Sequence, residues 1–375
     1  MAQAYDYIVI GCGGFGSGAL YHLAKRGANV LGIERFQAVH DRGSSHGESR
    51  IIRKAYFEHP DYVPLLHDAF DLWRELESET GQALLNESGL FIAGPPDCQA
   101  ITGSKLAAAT HSLPIEINSA AAVRQSFGGF DIPADFEIVV ESEAGFLWVE
   151  RCVAAHLQQA QKHGATLRTG ETVTGWQSDG IACRVTTDKG EYSSKSLILT
   201  AGAWTGQLLE ELRIPLRVLR KLLFWHETSN SEYFRPHGRV FFFEMPDGEF
   251  YGIPCPDGRT IKIARHTGGM EITNPLSLNR DYDPDDHAAV AEFIERCMPG
   301  VSTSPIRHST CMYTVTPDGH FVIDKHPNHE NVVLGAGFSG HGFKFTGVLG
   351  RVLAELSLDG KTESPVEFLG LDRVL

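Results

Sequence analysis

The segment 7–34 constrains the fold of this chain more than any other part of its sequence. An apolar run at 7–10 leads directly into a Gly-x-Gly-x-x-Gly turn at 11–16, and apolar residues at helical spacing follow the turn. A second apolar run at 30–33 ends in a glutamate. This order predicts a strand, a tight turn, a helix and a second strand, which together form the opening unit of a dinucleotide-binding sheet.

The glycines of this turn have separate tasks at a bound dinucleotide. Gly11 permits the tight turn, Gly13 lets the backbone approach a pyrophosphate, and Gly16 lets the helix pack closely on the strand. Glu34 lies where a carboxylate meets a ribose diol, which favours FAD or NAD over NADP. The alternative is a glycine-rich turn without a ligand. The residues that the first interpretation places at the dinucleotide are Gly11, Gly13, Gly14, Phe15, Gly16, Glu34 and Arg35.

Similar strand–glycine units recur in the middle and near the end of the chain. A buried strand is predicted at 196–202, and another at 331–334 leads through glycines into a helix from about Gly342 to Leu356. Alternating apolar and polar residues at 215–275 are typical of a β-sheet. The sequence also predicts helices at 61–80, 149–163 and 286–298, a strand at 171–173, and short strands with loops at 86–144.

These elements predict a mixed α/β (α+β) fold with two interleaved domains. We expect a Rossmann-like dinucleotide-binding domain from residues 1–85, 145–214 and 320–375. Residues 86–144 and 215–319 are expected to form a substrate domain built on a largely antiparallel β-sheet. A simple NAD-dependent dehydrogenase usually keeps its nucleotide unit contiguous, so the interleaving argues against that class.

Composition excludes several other classes. Asp and Glu number 47 against 33 Lys and Arg, and a net charge of −14 disfavours general binding to nucleic acid or anionic membranes. No apolar run is long enough for a membrane helix, and the N-terminus lacks a secretory pattern, so we expect a cytoplasmic protein. The seven cysteines are widely spaced and the histidines show no ligand pattern, which argues against disulfides and metal.

Three longer motifs are more specific than the glycine turn. Residues 43–53 read GSSHGESRIIR, residues 311–324 read CMYTVTPDGHFVID, and residues 337–345 read GFSGHGFKF. In these motifs and in their order the chain resembles the monomeric sarcosine oxidases and N-methyltryptophan oxidases, flavoenzymes of the D-amino-acid-oxidase superfamily. The resemblance implies an FAD-dependent oxidase of an N-methyl amino acid that reduces O2 to H2O2 and works as a monomer.

The resemblance also implies where FAD binds. Cys311 matches the cysteine that carries FAD through a thioether; an ordinary buried cysteine is the alternative. Ser45 stands where many relatives have histidine, and Ser49 stands where threonine is frequent, so hydrogen bonds around the flavin are expected to differ. The remaining cofactor positions are His46, Arg50, Val173, Gly202, Trp204, Tyr313, Gly337, Gly340, His341, Gly342 and Lys344.

Other matching positions imply the substrate site and the chemistry. Arg53 and Lys344 match the two cations that hold the substrate carboxylate, and exposed surface cations are the alternative. Lys262 matches a lysine that activates oxygen, although alternation alone also fits a lysine on the solvent face of a strand. The implied catalytic residues are Lys262, Arg50, His46 and His266. The implied residues around the substrate, for which core aromatics are the alternative, are Tyr251, Phe242 and Tyr313.

Four further functions stay open at this point. The first is oxidation of another amine, such as pipecolate, proline or a glycated amino acid, and the second is a flavin dehydrogenase with a protein electron acceptor. The third is an NAD-dependent dehydrogenase, which Glu34 alone allows. The last is a non-catalytic flavin-binding subunit. A flavin spectrum and an oxygen-uptake assay separate these possibilities.

Overall fold

The computed structural model describes residues 3–122, 129–234 and 239–375. The strands of this part of the chain are β1 (Gln3–Ala4), β2 (Tyr7–Ile10), β3 (Val30–Ile33), β4 (Ser49–Ile52), β5 (Leu85–Asn86), β6 (Leu90–Gly94), β7 (Glu116–Ser119), β8 (Glu137–Glu141), β9 (Gly145–Trp148), β10 (Thr166–Arg168), β11 (Val173–Ser178), β12 (Cys183–Thr187), β13 (Glu191–Ser194), β14 (Ser196–Leu199), β15 (Arg217–Thr228), β16 (Val240–Met245), β17 (Gly248–Pro254), β18 (Thr260–Arg265), β19 (Met270–Ile272), β20 (Val301–Val315), β21 (Val322–His326) and β22 (His329–Ala336).

The helices alternate with these strands. The α-helices are α1 (Gly14–Lys25), α2 (Val63–Thr80), α3 (Gln99–His111), α4 (Val149–Lys162), α5 (Thr205–Leu208), α6 (Pro284–Cys297) and α7 (Thr346–Leu358). Short 3-10 helices cover Pro60–Tyr62, Gly202–Trp204, Glu210–Leu212, Ser231–Phe234, Pro275–Ser277, Phe343–Phe345, Glu367–Leu369 and Leu371–Arg373.

A six-stranded sheet in the order β10-β3-β2-β14-β22-β21 contains the strands of the predicted dinucleotide-binding unit. Its first five strands are parallel and β21 pairs antiparallel with β22. The predicted strand–turn–helix–strand unit is confirmed, since β2, α1 and β3 follow one another as expected. Helix α1 packs against α4 and α7. The carboxyl ends of the central strands and the start of α1 therefore meet at one edge of the sheet.

Two glycines allow this close packing. Gly11 has a φ of 84°, in the left-handed region that favours glycine. A Cβ on Gly16 would lie 1.8 Å from the carbonyl oxygen of Gly11, so a larger side chain does not fit between helix and strand. The sequence assigned these two tasks to the same two glycines.

The second large sheet has nine strands. Eight follow the order β19-β15-β18-β17-β16-β6-β8-β7, and β20 also pairs with β15. All its pairs are antiparallel except β16 with β6. Strands from 86–144 and from 215–319 thus share one sheet, and the predicted mixed fold is confirmed. The domain boundaries themselves stay a prediction. Two smaller sheets, β1-β13-β12-β11 and β4-β9-β5, complete the topology.

Several predicted boundaries differ from the structure. The last α-helix begins at Thr346 and not at Gly342, because a tighter 3-10 turn at 343–345 precedes it. The predicted strand at 171–173 instead begins at Val173. Helix α3 was expected to be strand and loop, because its sequence QAITGSKLAAATH has little helical periodicity.

Helices α2, α4 and α6 are confirmed with shifts of at most two residues at their ends. Asp283 caps α6 by accepting a hydrogen bond from the backbone N–H of Asp285, and Pro284 occupies the first turn. In the part of the chain that the structure describes, no helix combines the length and apolar character needed to cross a bilayer. None of the seven cysteines is paired in a disulfide.

Two buried histidines between α1 and α4 make stability depend on pH. Burial lowers the pKa of His22 and of His156 to about 3, so both are neutral in the folded protein near pH 7. In the unfolded chain a histidine takes up a proton below its ordinary pKa of about 6.5. Stability is therefore lost as pH falls below about 6.5, by about 1.4 kcal/mol per histidine at about pH 5.5.

The change His156→Phe should reduce this acid sensitivity, because a phenyl ring keeps the stacking on Tyr21 and Trp73 but does not titrate. Urea unfolding near pH 7.5 and near pH 5.5 measures the effect. We expect the free energy of unfolding of wild type to fall by about 1.4 kcal/mol more than that of His156→Phe between the two pH values. The exposed control His67→Gln should behave as wild type. An equal acid sensitivity of wild type and His156→Phe would contradict the prediction.

Candidate active site

A cavity of about 190 Å³ lies at the edge of the six-stranded sheet where β2, β3 and β14 end. Most of the predicted cofactor residues line this cavity. They are Gly11, Gly13, Gly14, Phe15, Glu34, Arg35, Ser45, Arg50, Val173, Gly202, Trp204, Tyr313, Gly340 and Gly342. Gly16 lies behind the wall, where it packs α1 on the strand. His46, Ser49, Cys311, Gly337, His341 and Lys344 lie outside this lining.

The chemistry of the cavity wall fits a bound dinucleotide. Among the described residues, Trp204 Nε1 and Thr314 Oγ1 are shielded from solvent and have no hydrogen-bond partner, although both residues line the cavity. Buried polar atoms are rarely left unpaired, so these two are available to a ligand. A Cβ on Gly14 would lie 2.8 Å from Thr346 Cγ2 and 3.0 Å from Ser45 Oγ. Gly14 is therefore packed closely against these side chains, and its N–H donates to Ser45 Oγ at 3.1 Å. A Cβ on Gly13 would meet only Ser45 Oγ, at 4.0 Å, so the turn just before α1 is open backbone at the place where phosphate binds best.

Glu34 is held rigidly at the end of β3. Its Oε2 accepts from the N–H of Cys12 at 2.9 Å, and its Oε1 accepts from the N–H of Phe36 at 3.0 Å. His40 Nε2 lies 3.2 Å from the same Oε1. These contacts orient the carboxylate on the cavity wall, where the sequence predicted a ribose contact.

Arg50 and Cys311 meet at the opposite end of this cavity. Arg50 Nη2 lies 3.5 Å from Cys311 Sγ and donates to the carbonyl of Ser44 at 3.1 Å. Ser44 Oγ in turn donates to the carbonyl of Met312 at 2.7 Å, which ties the 43–45 loop to β20. Cys311 is 1% exposed, and its sulfur faces the guanidinium of Arg50. This places a positive charge against the predicted attachment atom.

Lys262 is fully buried under the same region. Its Nζ donates to the carbonyl of Gly47 at 3.0 Å and to the carbonyl of Ser49. Burial and the nearby Arg50 lower the pKa of Lys262 well below its usual range, while the two carbonyls favour its ammonium form. The alternative of a lysine on the solvent face of a strand is therefore wrong.

His46 lies beside this lysine and the loop that binds it. Its Nδ1 is 3.4 Å from Ser309 Oγ, and its Nε2 is buried without a partner among the described residues. Burial lowers the pKa of His46 to about 3, so the imidazole is neutral at physiological pH. The unpaired Nε2 is a hydrogen-bonding atom that a ligand can use.

A second cavity, of about 60 Å³, adjoins the first. Arg50, Tyr313, Gly340 and Phe343 line both cavities. The residues that line only the second are Ile51, Arg53, Phe57, Glu58, Phe242, Tyr251, His266, His341 and Lys344. The structure thus brings the predicted substrate residues together at the mouth of the predicted cofactor site.

Arg53 and Lys344 are both 5% exposed, so the alternative of two surface cations is wrong. Arg53 donates to the carboxylate of Glu58 at 2.6 Å and to the carbonyl of Ala55 at 2.8 Å. Lys344 donates to the carbonyl of His341 at 2.7 Å. Burial and the nearby Arg53 lower the pKa of Lys344 to about 7. The buried pocket holds two cationic side chains and the carboxylate of Glu58. One further negative charge would balance the two cations.

Glu58 is the main residue of this pocket that sequence reasoning missed. Burial acts to raise the pKa of its carboxyl, but Arg53, His341 and Lys344 outweigh burial and lower it to about 2. Glu58 is therefore ionised, and it forms an ion pair with the guanidinium of Arg53. A charged residue that follows the apolar stretch 55–57 was the available indication of a buried ion pair.

The wall opposite the two cations is aromatic. His266 Nδ1 lies 3.3 Å from the hydroxyl of Tyr313, and the rings of Tyr251 and Phe242 lie near the imidazole. Burial first, and then Lys221, lower the pKa of His266 to about 3. With a neutral imidazole in the wall, the positive charges of Arg53 and Lys344 in the same pocket favour an uncharged amine over an ammonium ion.

His341 lies between the two sides of the pocket. Its Nε2 donates to the carbonyl of Gly319 at 3.0 Å, which leaves Nδ1 to accept from the hydroxyl of Tyr56. Gly337, by contrast, lies away from both cavity walls, and a Cβ on it would lie 2.4 Å from Thr316 Cγ2. The described residues contain no group of three His, Cys, Asp or Glu side chains arranged to bind a metal ion.

The fold and the paired cavities are those of an FAD-binding oxidoreductase. Residues 6–356 match the family described as DAO, FAD dependent oxidoreductase, and the chain belongs to this family. It is 38% identical to monomeric sarcosine oxidase of Bacillus sp. (strain NS-129), over 100% of this chain and 98% of that protein. It is 33% identical to N-methyl-L-tryptophan oxidase of Yersinia pestis (strain Pestoides F), over 98% and 99%.

A solved structure shows the same fold. NikD, described as an unusual amino acid oxidase essential for nikkomycin biosynthesis, superimposes in its open form with a TM-score of 0.87 and 27% identity. The match covers 98% of each chain. The chain is therefore an FAD-dependent oxidoreductase, and FAD is the dinucleotide that the first cavity holds.

The change Glu58→Gln should tighten binding of small carboxylates. The variant removes the carboxylate that competes for Arg53, so a ligand such as acetate no longer has to displace it. We expect its Kd near pH 7 to fall about tenfold, which corresponds to about 1.4 kcal/mol. Titration of the flavin absorption spectrum with acetate measures this Kd.

The matched control is Glu143→Gln, which breaks an ion pair with Lys54 far more exposed than the Arg53–Glu58 pair. This control should leave acetate binding unchanged. Unchanged or weaker binding by Glu58→Gln would show that Glu58 does not compete for the carboxylate site.

Proposed function

We propose that this protein is an oxidase of secondary, N-methylated α-amino acids that uses O2 as electron acceptor and releases H2O2. The observation that carries the proposal is the junction of the two cavities. A pocket with two buried cations adjoins the FAD cavity, and four residues line both. A carboxylate held by the cations therefore keeps the rest of a small substrate next to the flavin end. The relatives named sarcosine oxidase and N-methyltryptophan oxidase support the same substrate class.

The cofactor cavity supplies the binding contacts for FAD. When bound, FAD would supply the two-electron oxidation at the C–H beside the substrate nitrogen and the transfer of those electrons to O2. Gly13, Gly14 and the start of α1 bind the pyrophosphate, and Glu34 binds the ribose. Arg50 lines the cavity and would contact the flavin end, and His46, which lies outside the lining, keeps an unpaired Nε2.

The substrate pocket orients the amine. Arg53 binds the substrate carboxylate through its planar guanidinium, and Lys344 adds a point charge. The carboxylate replaces Glu58 as the partner of Arg53. His266, Tyr251 and the other aromatic residues surround the unprotonated nitrogen. Fixing the carboxylate at one end holds the N-methyl carbon at the other end for reaction, which is catalysis by positioning.

The imine product hydrolyses to formaldehyde and the primary amino acid when the N-methyl group is oxidised. No side chain of the pocket is assigned as general base. We include in the proposal that Cys311 carries FAD covalently, that the enzyme acts as a monomer, and that it works in the cytoplasm on a small-molecule substrate without a protein or nucleic-acid partner.

An oxygen-electrode and product assay tests the proposed function. The panel contains sarcosine, N-methylalanine, N-methyltryptophan, pipecolate, proline and a fructosyl amino acid. We expect O2 uptake with equal formation of H2O2, and formaldehyde from the N-methyl compounds. Activity with only a cyclic or glycated amine, or reduction only of an artificial acceptor in place of O2, would contradict the proposal.

Lys262→Met should slow the reaction with oxygen and leave the reaction with substrate intact. The ammonium stabilises negative charge as O2 is reduced, and methionine fills the same space without charge. We expect reoxidation by O2 to slow by a factor of about one hundred or more, about 2.7 kcal/mol in the barrier. Stopped-flow mixing of the reduced enzyme with O2 measures this rate, and anaerobic reduction by substrate is the internal control.

The same experiment has a pH arm. The charged form of Lys262 is the active one, and its pKa is lowered, so wild-type reoxidation should slow as pH rises at values well below the usual lysine pKa of about 10.4. Lys262→Met should lack this pH dependence. Normal reoxidation of Lys262→Met would refute the role.

Cys311→Ser should release the flavin on denaturation. A hydroxyl does not form the thioether, so acid-precipitated and washed Cys311→Ser should be colourless while wild type stays yellow. Absorption of the pellet redissolved in denaturant measures the bound flavin. The control Cys255→Ser alters a different cysteine, which is partly buried, and should keep its colour. A colourless wild-type pellet would contradict covalent attachment.

A further inference from the structure

Lys221 is a buried lysine behind the wall of the substrate cavity that the proposed function leaves without a task. It lies on β15 opposite Cys311 of β20 and is 4% exposed. Its ammonium donates to three consecutive carbonyls, those of His266 at 2.7 Å, Thr267 at 2.9 Å and Gly268 at 3.1 Å. All three ammonium hydrogens are therefore used within one turn of the chain.

The turn is shaped around this ammonium. Gly268 and Gly269 have φ values of 69° and 111°, in the left-handed region. A Cβ on Gly269 would lie 2.7 Å from the carbonyl oxygen of Arg220 and 3.0 Å from Lys221 Cδ. Glycine at this position lets the backbone pass directly over the lysine side chain.

The other side of the turn is fixed by β17. The N–H of His266 donates to the carbonyl of Glu249 at 2.7 Å, and the N–H of Glu249 donates to Thr267 Oγ1 at 3.1 Å. The carbonyl of Glu249 thus accepts from the backbone N–H of His266, and Lys221 donates to the backbone carbonyl of His266. Both backbone polar groups of His266 are therefore held.

The ammonium also contacts a second residue of the substrate pocket. Lys221 Nζ lies 5.1 Å from the centroid of the Tyr313 ring, within cation–π range. The Tyr313 hydroxyl is 3.3 Å from His266 Nδ1. One buried charge therefore holds the backbone of His266 and the ring of Tyr313, and both side chains line the substrate cavity.

The charged surroundings of Lys221 add an electrostatic effect. Arg265 of β18, Glu249 of β17 and Cys311 of β20 are its titratable neighbours, and no carboxylate within the described residues forms an ion pair with it. Burial is the first cause that lowers the pKa of Lys221 to about 8. After burial, the positive charge of Lys221 is the largest effect that lowers the pKa of His266.

We propose that Lys221 is a positioning residue for amine oxidation, which fixes the His266 turn and the Tyr313 ring so that a neutral imidazole faces the substrate amine. The inference rests on the proposed function, because it assigns the wall of the same pocket. A purely structural lysine would stabilise the fold without setting the rate or affinity at the pocket.

Anaerobic stopped-flow reduction of the flavin separates these roles. The amine that reduces wild type fastest is used throughout, and kred and Kd are measured for Lys221→Met and Lys221→Arg. The control is Arg220→Met, which removes a buried cation of the same strand that binds Asn279, Asp281 and Asp286 instead of the pocket turn. We expect kred/Kd to fall at least tenfold in Lys221→Met, to recover most of this loss in Lys221→Arg, and to stay within about twofold of wild type in Arg220→Met.

If Lys221→Met loses flavin, Lys221→Gln takes its place, because glutamine keeps a hydrogen-bond donor. A double-mutant cycle then combines Lys221→Gln with His266→Asn. We expect Lys221→Gln to lower kred/Kd less in His266→Asn than in wild type, because part of its effect passes through that histidine and the rest through the Tyr313 ring. Additive losses, or a Lys221→Met effect no larger than that of Arg220→Met, would overturn the inference. Failure of every N-methyl amino acid to reduce wild type would instead overturn the proposed function, and the variants can still be compared with whichever amine reduces it.

Discussion

Direct backbone contact of helix α1 with its neighbours sets the geometry on which both cavities depend. A Cβ on Gly16 would lie 1.8 Å from the Gly11 carbonyl, so α1 sits directly on the sheet. A Cβ on Gly18 would lie 2.3 Å from the carbonyl of Thr346, and one on Gly350 would lie 2.6 Å from Gly18 itself, so α7 also touches α1. The segment that leads into α7 is therefore held against the start of α1. That segment carries the lysine of the substrate pocket, and the close packing thus joins the phosphate-binding turn to the carboxylate-binding pair.

Buried positive charge is the second feature on which the two cavities depend. The chain carries a net charge of −14, yet Arg53, Lys221, Lys262 and Lys344 are all at most 5% exposed and lie around one pair of cavities. Burying a charge is costly unless it is paired or hydrogen-bonded. Backbone carbonyls accept from all four, and Glu58 pairs with one. The remaining positive potential favours a carboxylate and a neutral amine, and it opposes an ammonium ion. The net negative charge of the whole chain is thus compatible with a local site of positive charge.

Much of the fold could be predicted because its determinants are local. The segment 7–34 encodes its strand, turn and helix in residue spacing alone. Helix α3 was missed because its apolar residues lack helical periodicity, and the last helix was predicted four residues early because the tight turn before it has the same composition as a helix start. The site residues came from motif resemblance. Burial of Lys262 and Glu58 depends on strands far away in sequence, so alternation and composition do not reveal it.

The dependence of flavin reduction on the substrate carboxylate tests the central claim most directly. Anaerobic reduction by sarcosine and by sarcosine methyl ester would be compared in wild type and in Arg53→Met. The account predicts that wild type strongly prefers sarcosine and that Arg53→Met loses most of this preference by reacting poorly with sarcosine while reacting with the ester much as wild type does. An unchanged preference in Arg53→Met would show that the buried cations do not orient the substrate, and would contradict the account.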